Sequence, residues 1–145
     1  MKKILFLCTG NYYRSRFAEY LFNELAQIHQ LPWYADSRAL ALQLGVNNIG
    51  SISPYTLIRL QQLGVKSPPD SLQRQPQQVV VMDLENSDKV IALDEEEHRP
   101  FVAHLFPEWT DKIDYWMVHD LHLTDPRDAL AEIERKINLF VETLK

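Results

Sequence analysis

"LCTGNYYRSR", residues 7–16, holds the only cysteine of the chain, between a short apolar run and a helix-like stretch. Residues 4–8 have the continuous apolar character of a short buried strand. After Ser15, apolar side chains recur on one helical face to about Ile28. The quoted stretch is therefore predicted to be a loop that joins a first strand to a first helix.

The residues of this loop suit the binding of an anion. Gly10 can adopt a positive φ without cost and Asn11 tolerates one, so successive backbone N–H groups can turn inward. The start of the following helix adds unpaired N–H donors and the positive end of its dipole. A thiol at Cys8 would ionise easily in this field, and Ser15 could donate its hydroxyl to the sulfur. Arg14 could bind an oxyanion through two parallel hydrogen bonds.

A lone cysteine is more often a small buried hydrophobic residue than a nucleophile. The prediction of chemistry at Cys8 therefore depends on its surroundings, which are the strand before it, the helix after it, the Gly-Asn pair and the arginine–serine pair.

Strand-like and helix-like segments alternate along the rest of the chain. Ser53 before Pro54 predicts the start of a helix that runs to about Leu63 and stops at Gly64. The remaining predictions are an extended segment at 32–40 that returns to the sheet, strands at 88–94 and 114–120, a closing helix at 130–144, a long polar connection at 67–78, and either a strand or a buried turn at 79–84. Such alternation predicts an α/β fold with a parallel sheet and right-handed crossovers.

In such a sheet, ligands bind beyond the carboxyl ends of the strands. Cys8 ends the first predicted strand, while Asp94 and Asp120 end later ones. These three residues are expected at one edge of the molecule. Asp94 is also expected to cap the helix that follows it, and His98 and His104 are expected at the surface or in polar edges.

The composition excludes several classes of function. The net charge is −5 and no Lys/Arg run occurs, so nucleic acid is not an expected partner. No apolar run approaches the length that crosses a membrane. One cysteine cannot form an internal disulfide, which favours the cytoplasm. His119 and His122 flank Asp120, but no third ligand has suitable spacing, so neither a metal nor another cofactor is predicted.

The segment "CTGNYYRS" resembles the phosphate-binding loop of the low-molecular-weight protein tyrosine phosphatases, which has the pattern Cys-x-Gly-Asn-x-x-Arg-Ser. Two further segments, "GSISPYTLIRLQQLG" and "SDKVIALDEEEH", are similar to parts of that family in the same order. The resemblance implies one three-layer domain over residues 1–145, with a central parallel four-stranded sheet, helices on both faces and the phosphate-binding loop after the first strand. Cys8 would be the nucleophile and Arg14 the phosphate clamp. The phosphate-binding residues would be Thr9, Gly10, Asn11, Tyr12, Tyr13, Arg14 and Ser15.

The family also uses an aspartate as general acid, followed by proline, in the last third of the chain. Asp125 precedes Pro126, whereas Asp120 has the better position, because it ends a strand and lies at the family's distance from the last helix. Asp120 is favoured, although Leu121 then replaces the proline. The alternative role for Asp125 is to start a turn or to help cap the helix.

The resemblance implies a phosphatase that hydrolyses phosphotyrosine in proteins through a cysteinyl-phosphate, acting as a monomer or weak dimer. Tyr13 replaces the family's second loop cysteine. Tyr12 could line the pocket or block it, and a phosphoarginine-specific branch of the family has threonine there, which makes that substrate less expected. The alternatives are a catalytically weak oxyanion-binding module and an arsenate reductase that uses external thiols, because the chain has no cysteine for its own relay.

Overall fold

The computed structural model describes residues 1–66, 74–119 and 125–145. Strands and helices alternate as predicted. The strands are β1 Lys2–Cys8, β2 Trp33–Ala39, β3 Lys89–Ala92 and β4 Asp114–Tyr115. The helices are α1 Arg14–Ile28, α2 Pro54–Gln62, α3 Val81–Glu85, α4 Glu95–Leu105 and α5 Pro126–Leu144.

The four strands form one parallel sheet in the order β2-β1-β3-β4. This confirms the predicted α/β fold. The side chains of β1 alternate between two apolar cores, because successive residues of a strand point to opposite faces. Ile4 and Phe6 pack on one face, in the core that includes residues of α1 and α5. Leu5 and Leu7 pack on the other face, with Leu84 of α3 among their neighbours. Helices therefore cover both faces, as the three-layer prediction requires.

Local signals place the ends of two helices correctly. The hydroxyl of Ser53 accepts a hydrogen bond from the backbone N–H of Tyr55, with Pro54 at the first helical position. Gly64, two residues beyond α2, has a φ of 74°, which favours glycine. The Asp94 side chain caps α4, which confirms its predicted capping role.

The segment 79–84 differs from both alternatives that the sequence offered. Residues 81–85 form the short helix α3, and Val80, Val81 and Met82 are exposed. The carboxylate of Asp83 accepts a hydrogen bond from the backbone N–H of Val80 at 2.8 Å, which favours a helical turn. Of the valine run, Val79 enters the core beside Leu5 and Leu7, whereas Val80 and Val81 are exposed, so the run forms neither a strand nor a buried turn.

The fourth strand is shorter than predicted. Among the described residues of this predicted strand, 114–119, Asp114 and Tyr115 alone pair in parallel with β3. Met117 then forms an antiparallel bridge with Asp94, so the chain crosses the carboxyl end of β3 after it leaves β4. Over the residues that the structure describes, no helix combines the length and apolar character needed to cross a membrane.

Candidate active site

Neighbouring segments hold the loop between β1 and α1 in place through hydrogen bonds to its outward-facing carbonyl groups. The Cys8 and Thr9 carbonyls accept hydrogen bonds from the backbone N–H groups of Leu40 and Ala41, both at 2.9 Å. On the other side of the loop, the Tyr12 carbonyl accepts from the backbone N–H of Ser53 at 2.9 Å. The next carbonyl, that of Tyr13, accepts from the Thr56 hydroxyl at 3.0 Å.

The directions of these carbonyls fix the directions of the neighbouring amides. In a trans peptide the C=O and the following N–H point in opposite directions, and the described chain has no cis peptide. The N–H groups of residues 9, 10, 13 and 14 therefore point towards the inside of the loop. This arrangement is a nest of donors suited to an oxyanion.

Asn11 fixes the middle of the loop. It is fully buried and has a φ of 51°, in the left-handed region that asparagine tolerates. Its side-chain amide donates to the hydroxyls of Ser15 and Ser37 at 2.9 and 2.8 Å. Its side-chain carbonyl accepts from Arg74 and from the backbone N–H of Gln77, both at 3.1 Å. Asn11 thus binds the loop to the end of β2 and to the segment before α3.

Cys8 lies at the base of this loop with its sulfur 3.0 Å from the Ser15 hydroxyl oxygen. Asn11 donates to the same oxygen, so the hydroxyl hydrogen of Ser15 can point at a thiolate. The side chain of Cys8 is buried but adjoins polar groups.

Arg14 is buried at the first position of α1, with its guanidinium at the carboxyl edge of the sheet. One terminal nitrogen donates to the Val118 carbonyl at 2.9 Å and lies 3.8 Å from the Asp94 carboxylate. The other donates to Oε2 of Glu97 at 2.7 Å. Glu97 also accepts a hydrogen bond from the Thr9 hydroxyl.

The acidic start of α4 is the part of the site that the sequence did not reveal. His98 and His104 were expected at the surface or in polar edges: His104 is exposed, whereas His98 is fully buried and lies among polar groups at this edge. Nδ1 of His98 accepts from the backbone N–H of Asp94 at 3.0 Å, and Nε2 lies 3.0 Å from Glu97 Oε2. The predicted cap at Asp94 was the sequence signal for this arrangement. A helix that begins at this edge of the sheet brings the side chains of its first turn close to the loop.

The electrostatic environment keeps Glu97 ionised and His98 neutral. Burial raises the pKa of Glu97, but the hydrogen bond from His98, the charge of Arg14 and the bond from Thr9 together bring it well below its usual range. Burial lowers the pKa of His98, and the positive charge of Arg14 lowers it further, against the opposing effect of Glu97.

The two loop tyrosines have different surroundings. Tyr13 is buried in the core on the α1 side, and its hydroxyl donates to the Pro126 carbonyl at 3.1 Å. Tyr12 is half-buried, packs against the same core and donates its hydroxyl to the Ile49 carbonyl at 2.7 Å. Packing and hydrogen bonding of the two tyrosine side chains therefore support the conformation of the loop.

Of the two candidate acids, the structure describes only Asp125; Asp120 lies outside the described residues. Asp125 caps α5 by accepting from the backbone N–H of Arg127 at 2.8 Å. The hydrogen bond from the Arg127 side chain lowers the pKa of Asp125. Across residues 1–66, 74–119 and 125–145, no group of three or more His, Cys, Asp or Glu side chains is placed to hold a metal ion.

Cys8 at the end of β1, the inward amides of the loop and Arg14 at the start of α1 together form an arrangement suited to binding an oxyanion. The sequence matches the model of the low molecular weight phosphotyrosine protein phosphatase family over residues 3–145, and the chain belongs to that family. Comparison with curated proteins found no significant sequence match.

Solved structures of several phosphatases share the fold. The low molecular weight protein tyrosine phosphatase SP-PTP of Streptococcus pyogenes superposes with a TM-score of 0.81 at 19% identity, over 100% of this chain and 94% of that one. The low molecular weight protein tyrosine phosphatase of T. tengcongensis gives 0.79 at 22% identity, over 99% and 100%. The YwlE arginine phosphatase of Geobacillus stearothermophilus gives 0.75 at 23% identity, over 99% and 93%.

Proposed function

We propose that this phosphatase hydrolyses phosphotyrosine in proteins through a cysteinyl-phosphate intermediate. The observation that carries the proposal is the position of the Cys8 sulfur at the base of the loop. The carbonyls of residues 8, 9, 12 and 13 are turned outward, so the amides that follow them face the inside of the loop. The proposed partners are tyrosine-phosphorylated proteins in the cytoplasm. We further propose that the enzyme acts as a monomer or weak dimer and needs no cofactor.

In the first step, the Cys8 thiolate attacks phosphorus in line and the bond from phosphorus to the leaving oxygen breaks. The inward amides of residues 9, 10, 13 and 14 and the Arg14 guanidinium bind the equatorial oxygens, where the charge of the transition state lies. The Ser15 hydroxyl stabilises the thiolate. An aspartate, for which we favour Asp120 over Asp125, protonates the leaving oxygen.

In the second step, the same aspartate accepts a proton from a water molecule, which attacks the cysteinyl-phosphate. The sulfur–phosphorus bond breaks, inorganic phosphate forms and the thiolate returns. Every proton in this cycle passes through the aspartate, so the second step regenerates both groups of the resting enzyme.

Tyr12 supports the choice of an aromatic substrate. Its ring packs at the loop beside Ile49, and aromatic rings in edge or offset contact attract each other by about 0.5–1.5 kcal/mol. The similarity to an arginine phosphatase makes phosphoarginine the comparison that matters most.

The test compares a phosphotyrosine peptide, a phosphoarginine peptide and p-nitrophenyl phosphate on the wild type and on Cys8→Ser. We expect the phosphotyrosine peptide to have the higher kcat/KM, and Cys8→Ser to lower turnover by roughly a thousandfold or more. Acid-quenched wild type should carry the phosphoryl group on Cys8. Hydrolysis that survives Cys8→Ser would refute the mechanism, and preference for the phosphoarginine peptide would refute the substrate class.

Two further measurements address the alternatives. Thermal stabilisation by phosphate without turnover of any of the three substrates would indicate an oxyanion-binding module. Reduction of arsenate with added glutathione, in the absence of phosphatase activity, would indicate a reductase. The proposal expects neither pattern.

A further inference from the structure

The carboxylate of Glu97 has an unusual place beside the phosphate-binding loop. Its Oε2 accepts hydrogen bonds from the Arg14 guanidinium, the Thr9 hydroxyl and the His98 ring. Two of these donors belong to the loop, at residues 9 and 14. Glu97 is therefore the direct link between α4 and the two ends of the loop.

The tautomer of His98 follows from geometry. The backbone N–H of Asp94 can only donate, so Nδ1 of His98 must be the acceptor and carry no proton. The hydrogen of the neutral ring is then on Nε2, which faces Glu97 Oε2 at 3.0 Å. His98 thus donates to Glu97, and its full burial leaves the ring little freedom to turn.

The Arg14 guanidinium must be held in one orientation if it is to bind an oxyanion in the loop. A guanidinium binds an oxyanion well only when its plane and its N–H groups are held in the required orientation. The Val118 carbonyl holds one terminal nitrogen and Glu97 holds the other, at 2.9 and 2.7 Å. These two acceptors lie on different segments, so together they set the plane of the guanidinium.

We propose that Glu97, held by the neutral Nε2–H form of His98, is the positioning residue that orients Arg14 and Thr9 for oxyanion binding. The inference rests on the proposed function of the loop and extends it to the first turn of α4. All three donors converge on one oxygen, so an amide oxygen at the same place can satisfy them, whereas a methyl group cannot.

The test measures inorganic phosphate binding by calorimetry and p-nitrophenyl phosphate kinetics for Glu97→Ala and Glu97→Gln. Glu96→Gln is the matched control, since Glu96 is exposed on the same turn and loses the same charge. We expect Glu97→Ala to weaken phosphate binding by about tenfold and to lower kcat/KM by at least as much. Glu97→Gln should stay within about threefold of the wild type, because it keeps the acceptor.

The opposite result has a distinct meaning. If Glu97 only competed with phosphate for Arg14, both variants would bind phosphate more tightly than the wild type, and the proposal would be overturned. Equal losses in Glu97→Gln and Glu97→Ala would also overturn it, because the charge rather than the hydrogen-bonded position would then matter.

A second measurement does not depend on turnover. Nitrogen NMR of the His98 ring should show the neutral Nε2–H tautomer in the wild type, at neutral pH and with phosphate bound. A cationic ring or the Nδ1–H tautomer would contradict the proposed order of donors. Phosphate binding that follows the expected order of variants, without hydrolysis of any substrate, would refute the proposed phosphatase chemistry while supporting this positioning role.

Discussion

Asp125 shows at the scale of a single residue how local contacts limit a chemical role. Its carboxylate caps α5 and is bonded to the backbone and side chain of Arg127. These three hydrogen bonds stabilise the ionised form and lower the pKa of Asp125, whereas a general acid must hold a proton until the leaving group departs. These contacts favour Asp120 as the general acid.

Comparison of Asp120→Ala with Asp125→Ala tests this assignment. With a poor leaving group, loss of the true acid should lower kcat by about 10²- to 10⁴-fold, and by much less with p-nitrophenyl phosphate. We expect this pattern for Asp120→Ala. Asp125→Ala should instead lower the free energy of unfolding by about 0.5–2 kcal/mol, the usual effect of removing a helix cap. A large leaving-group effect in Asp125→Ala alone would reverse the assignment.

At the scale of elements, the starts of the helices do most to shape the site. The beginning of α2 binds the carbonyls of residues 12 and 13, and the beginning of α4 binds the side chains of residues 9 and 14. Both helices begin at the carboxyl edge of the sheet. The shape of the loop therefore depends on the hydrogen bonds that neighbouring elements make to its outward groups, and not on its own residues alone.

This explains what could be predicted from the sequence. β1, α1, α2 and α5 have strong periodicity or clear caps, and the loop motif is local, so each was predicted from adjacent residues. The role of His98 depends on a backbone N–H four residues earlier and on two distant loop residues. The buried Arg16 donates to the Ser51 carbonyl, which lies 35 residues further along the chain. Such long-range pairs leave no periodic signal.

Thr56 provides a test of how α2 supports the loop. It is fully buried, and its hydroxyl donates to the Tyr13 carbonyl at 3.0 Å. Thr56→Val keeps the shape but removes this donor, so we expect a loss of about 1–2 kcal/mol in unfolding free energy and roughly tenfold in kcat/KM. Thr56→Ser keeps the hydroxyl and should retain near wild-type kcat/KM, although it loses a buried methyl group. Equal kinetics for the two variants would show that α2 does not hold the loop.

At the scale of the whole molecule, two carboxylates, the half-buried Glu97 and the buried Glu19, make the stability depend on pH in opposite directions. Glu97 contacts Thr9, Arg14 and His98, and its pKa is lowered as described above. Burial raises the pKa of Glu19 above its ordinary value of 4.5, against the lowering effects of Arg74 and Ser37 and with a further rise from Asp36. Glu19 lies in α1, where its Oε1 accepts from the Ser37 hydroxyl at 2.5 Å and from Arg74 at 2.9 Å.

The same substitution at the two sites should therefore have opposite pH signatures. The lowered pKa of Glu97 gives stability that is present above its unfolded pKa of 4.5 and is lost as the pH falls below it. The raised pKa of Glu19 gives stability that is present below 4.5 and is lost as the pH rises through the folded value. The test is urea unfolding from about pH 3 to pH 8, which gives the free energy of unfolding. The difference in this free energy between wild type and Glu97→Gln should shrink towards acid pH. The corresponding difference for Glu19→Gln should shrink towards neutral pH. Slopes of the same sign for Glu97→Gln and Glu19→Gln would contradict the opposite environments that the fold creates around the two carboxylates.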